Sequence, residues 1–332
     1  MNSRERVIRS IKFENPDRIP IMHSTLIGAF LKYGDALRRL YEEYPSDVLV
    51  IGYSSPLEYG DFAGEGSEDS WGAVWLRLGD DYKGQVVRRP LDDWKKLKDY
   101  KFPPLFAEGE FETVEKTIRE NNKQRYTLVD AGCLFQRMFY LRGFENLLID
   151  LAEQREEIYR IRDRIVDYIL KRIKKWRILD IDGFIFRDDW GTQERLIISP
   201  TLWREFFKPA YKQICDAVHR NGAFFHFHSD GYIRQIIPDM LEIGVDVLNP
   251  QLVTMDIDEL GRTFGGKVCF RGGLDRQHIL PHGSAEDVRR HVQRTIEAFC
   301  RFNGGYIGCG QVGPDVPLRN AEAMLECFTN SR

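Results

Sequence analysis

The chain has 332 residues, 42% hydrophobic and 30% charged, and its 48 basic and 51 acidic side chains leave a net charge of −3. That balance excludes an intrinsically disordered chain and offers no basic surface for a nucleic acid or a membrane. No apolar run approaches the roughly 18 residues that span a bilayer, and six scattered cysteines without a Cys-x-x-Cys pair point to reduced thiols and a cytoplasmic setting.

Met1 to Phe13 carries Val7, Ile8 and Ile11 at helical spacing among charges. The spacing predicts an amphipathic helix, not a secretory signal, which needs an apolar core. Pro16 disfavours helix in the residue before it and ends the run. Arg18 to Met22 is a candidate first strand, with His23 at its end. Leu26 to Tyr44 is helical in pattern, and Asp47 to Ile51 reads as the second strand. Residues 54–104 break the rhythm. Ser67 to Trp75 and Gly84 to Arg88 predict a small antiparallel excursion, with Gly and Asp at its turns. Pro90 stands near the start of a short helix that includes Trp94. We read 54–104 as an insertion after the second strand, near the mouth of the fold, and 1–332 as a single domain.

Regularity returns at Phe111. Phe111 to Asn121 predicts a helix, and Arg125 to Asp130 the third strand. Ile158, Ile161, Ile165, Ile169, Ile173 and Trp176 step by three or four and predict a long amphipathic helix. Its basic run from Lys171 to Arg177 reads as a solvated face near a helix C-terminus, where cations are favoured. Gly183 to Phe186 is the fourth predicted strand and runs into Arg187-Asp-Asp-Trp-Gly-Thr-Gln193. Pro200 to Arg220 predicts a helix, and Ala223 to His228 the fifth strand. There His226, His228 and Asp230 are spaced by two, so an extended backbone puts all three on one face. Gly231 then permits a sharp turn. Ile233 to Ile243 predicts a helix closed by Gly244. Val245 to Asn249, Lys267 to Arg271 and Tyr306 to Gly308 complete the set of strands, with helices over Ala285 to Arg301 and Asn320 to Thr329. Eight short apolar strands alternating with helices predict a parallel sheet closed into a (β/α)8 TIM barrel. The open doubly wound alternative lacks its phosphate fingerprint, Gly-x-Gly-x-x-Gly.

Barrel enzymes carry their sites on loops at the carboxyl ends of the strands. There stand His23, Cys133, Asp188, Asp189, Trp190, Gln193, His228, Asp230, Asn249, Gln251, Asp275, Gln277 and Cys309. Asp188, Asn249 and Asp275 can each serve as helix caps. An imidazole, a carboxylate and a thiolate at 228, 230 and 309 suit an open zinc site, with one position left for substrate. The plain alternative makes Cys309 a small apolar residue at a strand end.

The chain resembles the uroporphyrinogen decarboxylase superfamily over nearly its whole length. The resemblance rests on Arg4-Glu-Arg-Val-Ile…Phe13-Glu-Asn-Pro-Asp-Arg-Ile-Pro20, Ser70-Trp-Gly-Ala-Val-Trp75 and Asp188-Asp-Trp-Gly-Thr-Gln193. It is strongest in His228-Ser-Asp-Gly…Glu242-Ile-Gly-Val-Asp-Val-Leu-Asn-Pro250, and continues through Gly272-Gly-Leu-Asp and Pro314-Asp-Val-Pro…Asn320-Ala-Glu-Ala-Met324. It implies a TIM barrel and one of two chemistries. True uroporphyrinogen decarboxylases hold a substrate with many carboxylates through an N-terminal Met-Arg-Gln-Ala-Gly-Arg loop. The corresponding place here reads Ile21-Met-His-Ser-Thr-Leu26 and supplies no guanidinium. The other branch comprises cobamide-dependent methyltransferases, which carry zinc through a His-x-Cys-Gly and a later Cys. His228 matches the His, Asp230 replaces the first Cys, and Cys309 matches the second.

The resemblance therefore implies a zinc-dependent methyltransferase that moves a methyl group between a small O-methyl substrate and a separate corrinoid (cobalamin) protein. His228, Asp230 and Cys309 would be metal ligands, with oxygen in place of sulfur favouring polarisation of an oxygen atom. Asp189 and Gln193 would position the substrate, Trp190 would form an apolar wall, and His23, Gln251 and Asp275 would complete a polar rim. His226 would orient a ligand or be a hydrogen-bonded core residue. A metal-free decarboxylase of a smaller acid, and a non-catalytic paralogue that only docks a corrinoid partner, are the competing readings. A homodimer is implied at the level of the family alone.

Overall fold

A computed structural model describes residues 1–52, 66–76 and 84–331. Along the chain its strands are β1 (Ser24–Thr25), β2 (Val48–Ile51), β3 (Ser67–Glu68), β4 (Val74–Leu76), β5 (Gln85–Arg88) and β6 (Tyr126–Gly132). They continue as β7 (Gly183–Arg187), β8 (Phe224–Ser229), β9 (Val247–Pro250), β10 (Cys269–Arg271), β11 (Tyr306–Ile307) and β12 (Gln311–Val312). Seven of them form one curled parallel sheet in the order β11-β10-β9-β8-β7-β6-β2, the arrangement of a TIM-barrel-like α/β fold.

The first predicted strand, Arg18 to Met22, is not a regular one. Pro20 has no N–H to give a ladder, so pairing is confined to a bridge at Ile21–Gly308 and to β1 against β12. This segment still touches both edges of the sheet. Met22 N–H donates to Gly308 O (2.8 Å) and Gly308 N–H to Pro20 O (2.8 Å). On the other side Asp47 N–H donates to Ile21 O (2.8 Å), and Ile21 N–H returns a bond to the Asp47 carboxylate (2.7 Å).

The period-two pattern of the strands sorts side chains into two layers. Phe184, Phe186, Phe225 and Phe227 point outward and are buried with the surrounding helices in one large core. Ile185, Val247, Cys269 and Ile307 point inward and meet Val7 and Ile11 of the N-terminal helix Ser3–Lys12 in a second, smaller core. That helix therefore stoppers the amino end of the sheet. Burial of each Phe contributes about 2–3 kcal/mol against leaving it in water. With Phe225 and Phe227 outward, His226 and His228 face the interior.

Several helices depart from expectation for local reasons. The predicted helix over residues 26–44 is two, Ile27–Tyr33 and Asp35–Glu43, broken at Gly34 (φ 48°). Pro200–Arg220 contains a one-turn π segment at Trp203–Phe207, which sets Trp203, Phe206 and Phe207 into the core. The helix expected from Ile233 begins at Ile237, where Pro238 stands in its first turn. Helices Phe135–Arg142, Phe144–Ala152 and Ile257–Phe264 carried no sequence prediction. Within 54–104, β3, β4 and β5 form a three-stranded antiparallel sheet; residues 54–65 and 77–83 of that stretch lie outside the described residues. Among the described residues no helix is long and apolar enough to cross a membrane.

Candidate functional site

The carboxyl ends of β7 to β10 present a row of polar side chains. The register pairs Arg187 with His228 and His228 with Asn249, and Arg271 lies one step beyond the Phe270–Leu248 pair. A cavity of about 140 Å³ opens above this row. His228, Asp230, Asn249, Gln251 and Cys309 line it, together with Arg187, Arg271 and Arg276.

Two glycines make the site possible. The loops after β7 and β8 cross at Gly191 and Gly231, so closely that a Cβ on Gly231 would stand 2.1 Å from the Gly191 carbonyl carbon. Gly231 also has φ +79°, which side chains disfavour. The crossing is stitched by Gly191 N–H to Asp230 O (3.2 Å), Tyr232 N–H to Thr192 O (2.7 Å) and Trp190 N–H to Ser229 Oγ (2.9 Å). Asp230 N–H donates to Asp189 Oδ1 (2.8 Å), so the two carboxylates are neighbours.

Ligand atoms of Asp189, His228 and Asp230 lie within 4.8 Å of one another. His228 Nε2 is 3.7 Å from Asp189 Oδ1 and 3.8 Å from Asp230 Oδ1. Its Nδ1 is 3.0 Å from both Asn249 O and Asn249 Oδ1. Both are acceptors, so Nδ1 carries the proton and Nε2 offers a lone pair to the space beside the carboxylates. Arg276 compensates one oxygen of Asp230, and the other carboxylate oxygens face Nε2 across the gap. The donor set, one nitrogen and two carboxylates, fits a divalent metal that takes mixed N and O ligands.

Arg276 spans the cavity from Asp230 Oδ2 (2.7 Å) to Gln311 Oε1 (2.8 Å). Arg187 is ion-paired with buried Asp130. These arginines escaped the sequence analysis because Arg187 and Arg271 read as the ends of apolar strands. The rule that strand ends carry function was the signal that could have found them.

The other candidates sort as follows. Cys309 lines the same cavity but stays outside the group formed by Asp189, His228 and Asp230. Burial pushes its thiol above the ordinary range, opposed by the charge of Arg271. Gln251 accepts from Gly231 N–H (2.9 Å) and from Gln193 Nε2 (3.4 Å), and so supports the turn beside the triad. Trp190 is fully buried, stacked on Phe135 at 4.1 Å and against Phe207 at 4.5 Å, and does not line the cavity. His23 stacks on Tyr41 (3.9 Å) and bonds Tyr44 O (2.7 Å), one residue away from the cavity-lining Met22 and Ser24. Asp275 accepts from the backbone N–H groups of Gln277 and His278, a capping arrangement. Asp188 is buried and accepts from Leu134 N–H, Gln136 N–H and Tyr211, which fixes the start of Phe135–Arg142. His226 lies one layer below the site and bonds Tyr126 (2.8 Å); burial and the charge of Arg271 hold its imidazole well below the usual range.

Comparison with known proteins adds three findings. A family description, uroporphyrinogen decarboxylase (URO-D), matches residues 76–331. Uroporphyrinogen decarboxylases of Xylella fastidiosa and Xanthomonas axonopodis pv. citri are each 24% identical, over 156 and 158 residues respectively. The match covers 45% of this chain and only 41% of either relative. A solved methyltransferase from Methanosarcina mazei superposes with a TM-score of 0.75 at 14% identity, covering 99% of this chain and 98% of that one. At that identity the likeness shows the fold alone.

Proposed function

The chain belongs to the uroporphyrinogen decarboxylase family, and from that premise we propose that it is a metal-dependent methyltransferase. On this reading a methyl group passes between a small O-methyl substrate and a corrinoid carried by a partner protein. The observation that carries the reading is the convergence of His228 Nε2 with Asp189 and Asp230 at the edge of a cavity. The fold shared with the Methanosarcina methyltransferase supports it, as does the lack of guanidinium groups in Ile21 to Leu26. We further read Pro20 to Thr25 as the eighth stave of a closed (β/α)8 barrel, 1–332 as one domain with an insertion over 54–104, and the protein as cytoplasmic.

His228 Nε2, Asp189 and Asp230 would hold the ion, with the position beyond them left for substrate. A bound divalent ion such as zinc supplies Lewis acidity, which draws electron density from an ether oxygen and weakens the methyl–oxygen bond. The chain's own residues do the rest. Arg276 holds one oxygen of Asp230 and so aims the other. Gln251, tied to Gly231 N–H, keeps the turn rigid. A cavity of about 140 Å³ admits a small substrate and no corrinoid ring, so the acceptor must approach from the mouth. Gln193, Trp190, His23 and Asp275 would act through the shape of the site, not by touching the substrate.

Metal analysis of protein purified without chelators tests the proposal. About one equivalent of zinc is expected. His228→Ala should abolish it and cut methyl transfer about 100-fold or more, beyond the loss typical of an outer partner. A metal-free protein that zinc does not occupy on addition would end this reading. It would leave the second one, a carboxy-lyase acting on a smaller acid, which the names of the curated relatives and the cavity arginines favour.

A further inference from the structure

We infer that Asn249, itself locked by Arg271, is a positioning residue that presents His228 Nε2 to the carboxylates. The inference rests on the metal-site reading above but concerns a different atom. Asn249 is gripped on both sides of its amide. Its Nδ2 donates to Arg271 O (2.6 Å), and its Oδ1 accepts from the Arg271 guanidinium (2.8 Å). Turning the amide over would set an NH2 against a cation and an oxygen against a carbonyl, so only one orientation satisfies both contacts. That orientation aims Oδ1 at His228 Nδ1.

The consequence reaches the ring. Nδ1–H is shared between Asn249 Oδ1 and Asn249 O, each at 3.0 Å. Two acceptors at one nitrogen fix both the tautomer and the plane of the imidazole. The carbonyl alone can hold the proton on Nδ1; the amide oxygen keeps the ring from turning about that bond. Arg271 is only 2% exposed, so this anchor does not sway with solvent. Gly272 leaves the space the amide needs, since a Cβ there would come within 3.2 Å of Asn249 Nδ2. Asn249 touches neither carboxylate; it acts through His228.

The test uses the full chain. In metal-free protein at alkaline pH, histidine nitrogen NMR should show His228 as the Nδ1–H tautomer. This needs no variant and no metal, and it reads the protonated nitrogen on which the inference depends. The Nε2–H tautomer would overturn it. Zinc affinity, measured by competition with a chromogenic chelator, should then weaken about 10-fold in Asn249→Leu and less in Asn249→Asp, which keeps the acceptor facing His228 but loses the donor to Arg271 O. Equal affinity of Asn249→Leu and the unmodified chain would overturn it as well. A chain that binds no zinc at all would refute the metal proposal; this inference is then read from the His228 ring, which should be ordered in NMR relaxation of the unmodified chain and mobile in Asn249→Leu, and equal order in both would overturn it.

Discussion

Among the histidines, position alone decides the role. His226 and His228 share one face of β8, yet the first is closed in by Tyr126 and the second opens on the cavity. His219, at the other end of the sheet, is paired instead with Asp246 at 2.8 Å. That hydrogen bond raises its imidazole above the ordinary range, against some desolvation. Below about pH 6.5 both folded and unfolded chains carry the proton and the pair contributes in full. As pH rises further, the folded chain keeps a proton the unfolded chain has lost, and stability declines until the folded group titrates. The urea midpoint should therefore fall as pH rises above about 6.5, and His219→Gln should flatten part of that fall. An unchanged slope in the variant would refute the role given to this pair. Residue identity made His228 and Asp230 legible as site candidates. It did not reveal that Asp189 would join them or that Cys309 would stay apart, because neither follows from spacing within one strand.

Elements were legible where their own periodicity sufficed. The long helix Glu156–Trp176 follows from apolar residues spaced by three to four, and strands β6 to β9 follow from short apolar runs. Phe135–Arg142 was not legible, since its start is fixed by Asp188 from a different loop. Ser284 caps Ala285–Phe299 by accepting from Asp287 N–H, and its own N–H donates back to the Asp287 carboxylate. Ser284→Ala should cost about 1 kcal/mol in equilibrium denaturation, with the site untouched. The crossing of the β7 and β8 loops is more demanding. Gly191→Ala would drive a Cβ to 2.3 Å from Tyr232 N and should cost about 2–3 kcal/mol. On the metal reading proposed above it should also loosen zinc binding, because that crossing helps bring Asp189 and Asp230 together. A variant with unchanged stability and metal affinity would show that the loops are not held in this way.

At the scale of the whole molecule, one buried carboxylate ties the amino-terminal elements to the sheet. Asp47 is fully buried and accepts from Arg6 (2.6 Å), Arg18 (2.8 Å) and Ile21 N–H (2.7 Å). Arg6 comes from the helix that stoppers the inner core, and Ile21 from the segment between the sheet's edges. Asp47→Ala takes the carboxylate from between Arg6 and Arg18, leaves Ile21 N–H without its acceptor, and should cost about 3–5 kcal/mol. Denaturation that shows less than about 1 kcal/mol would deny Asp47 this joining role.

The sequence by itself determined the α/β class, the alternation of strands with helices, and the shared face of His226, His228 and Asp230. These are local matters, set by the period of an extended or helical backbone. Only the tertiary structure decided which side chains from different strands meet. Asp189 reaches Asp230 because two glycines let their loops touch, and His228 turns Nδ1 to Asn249 of the neighbouring strand, itself held by Arg271 from the strand beyond. Such meetings depend on how the sheet curls and packs, a property of the whole chain that no single segment encodes.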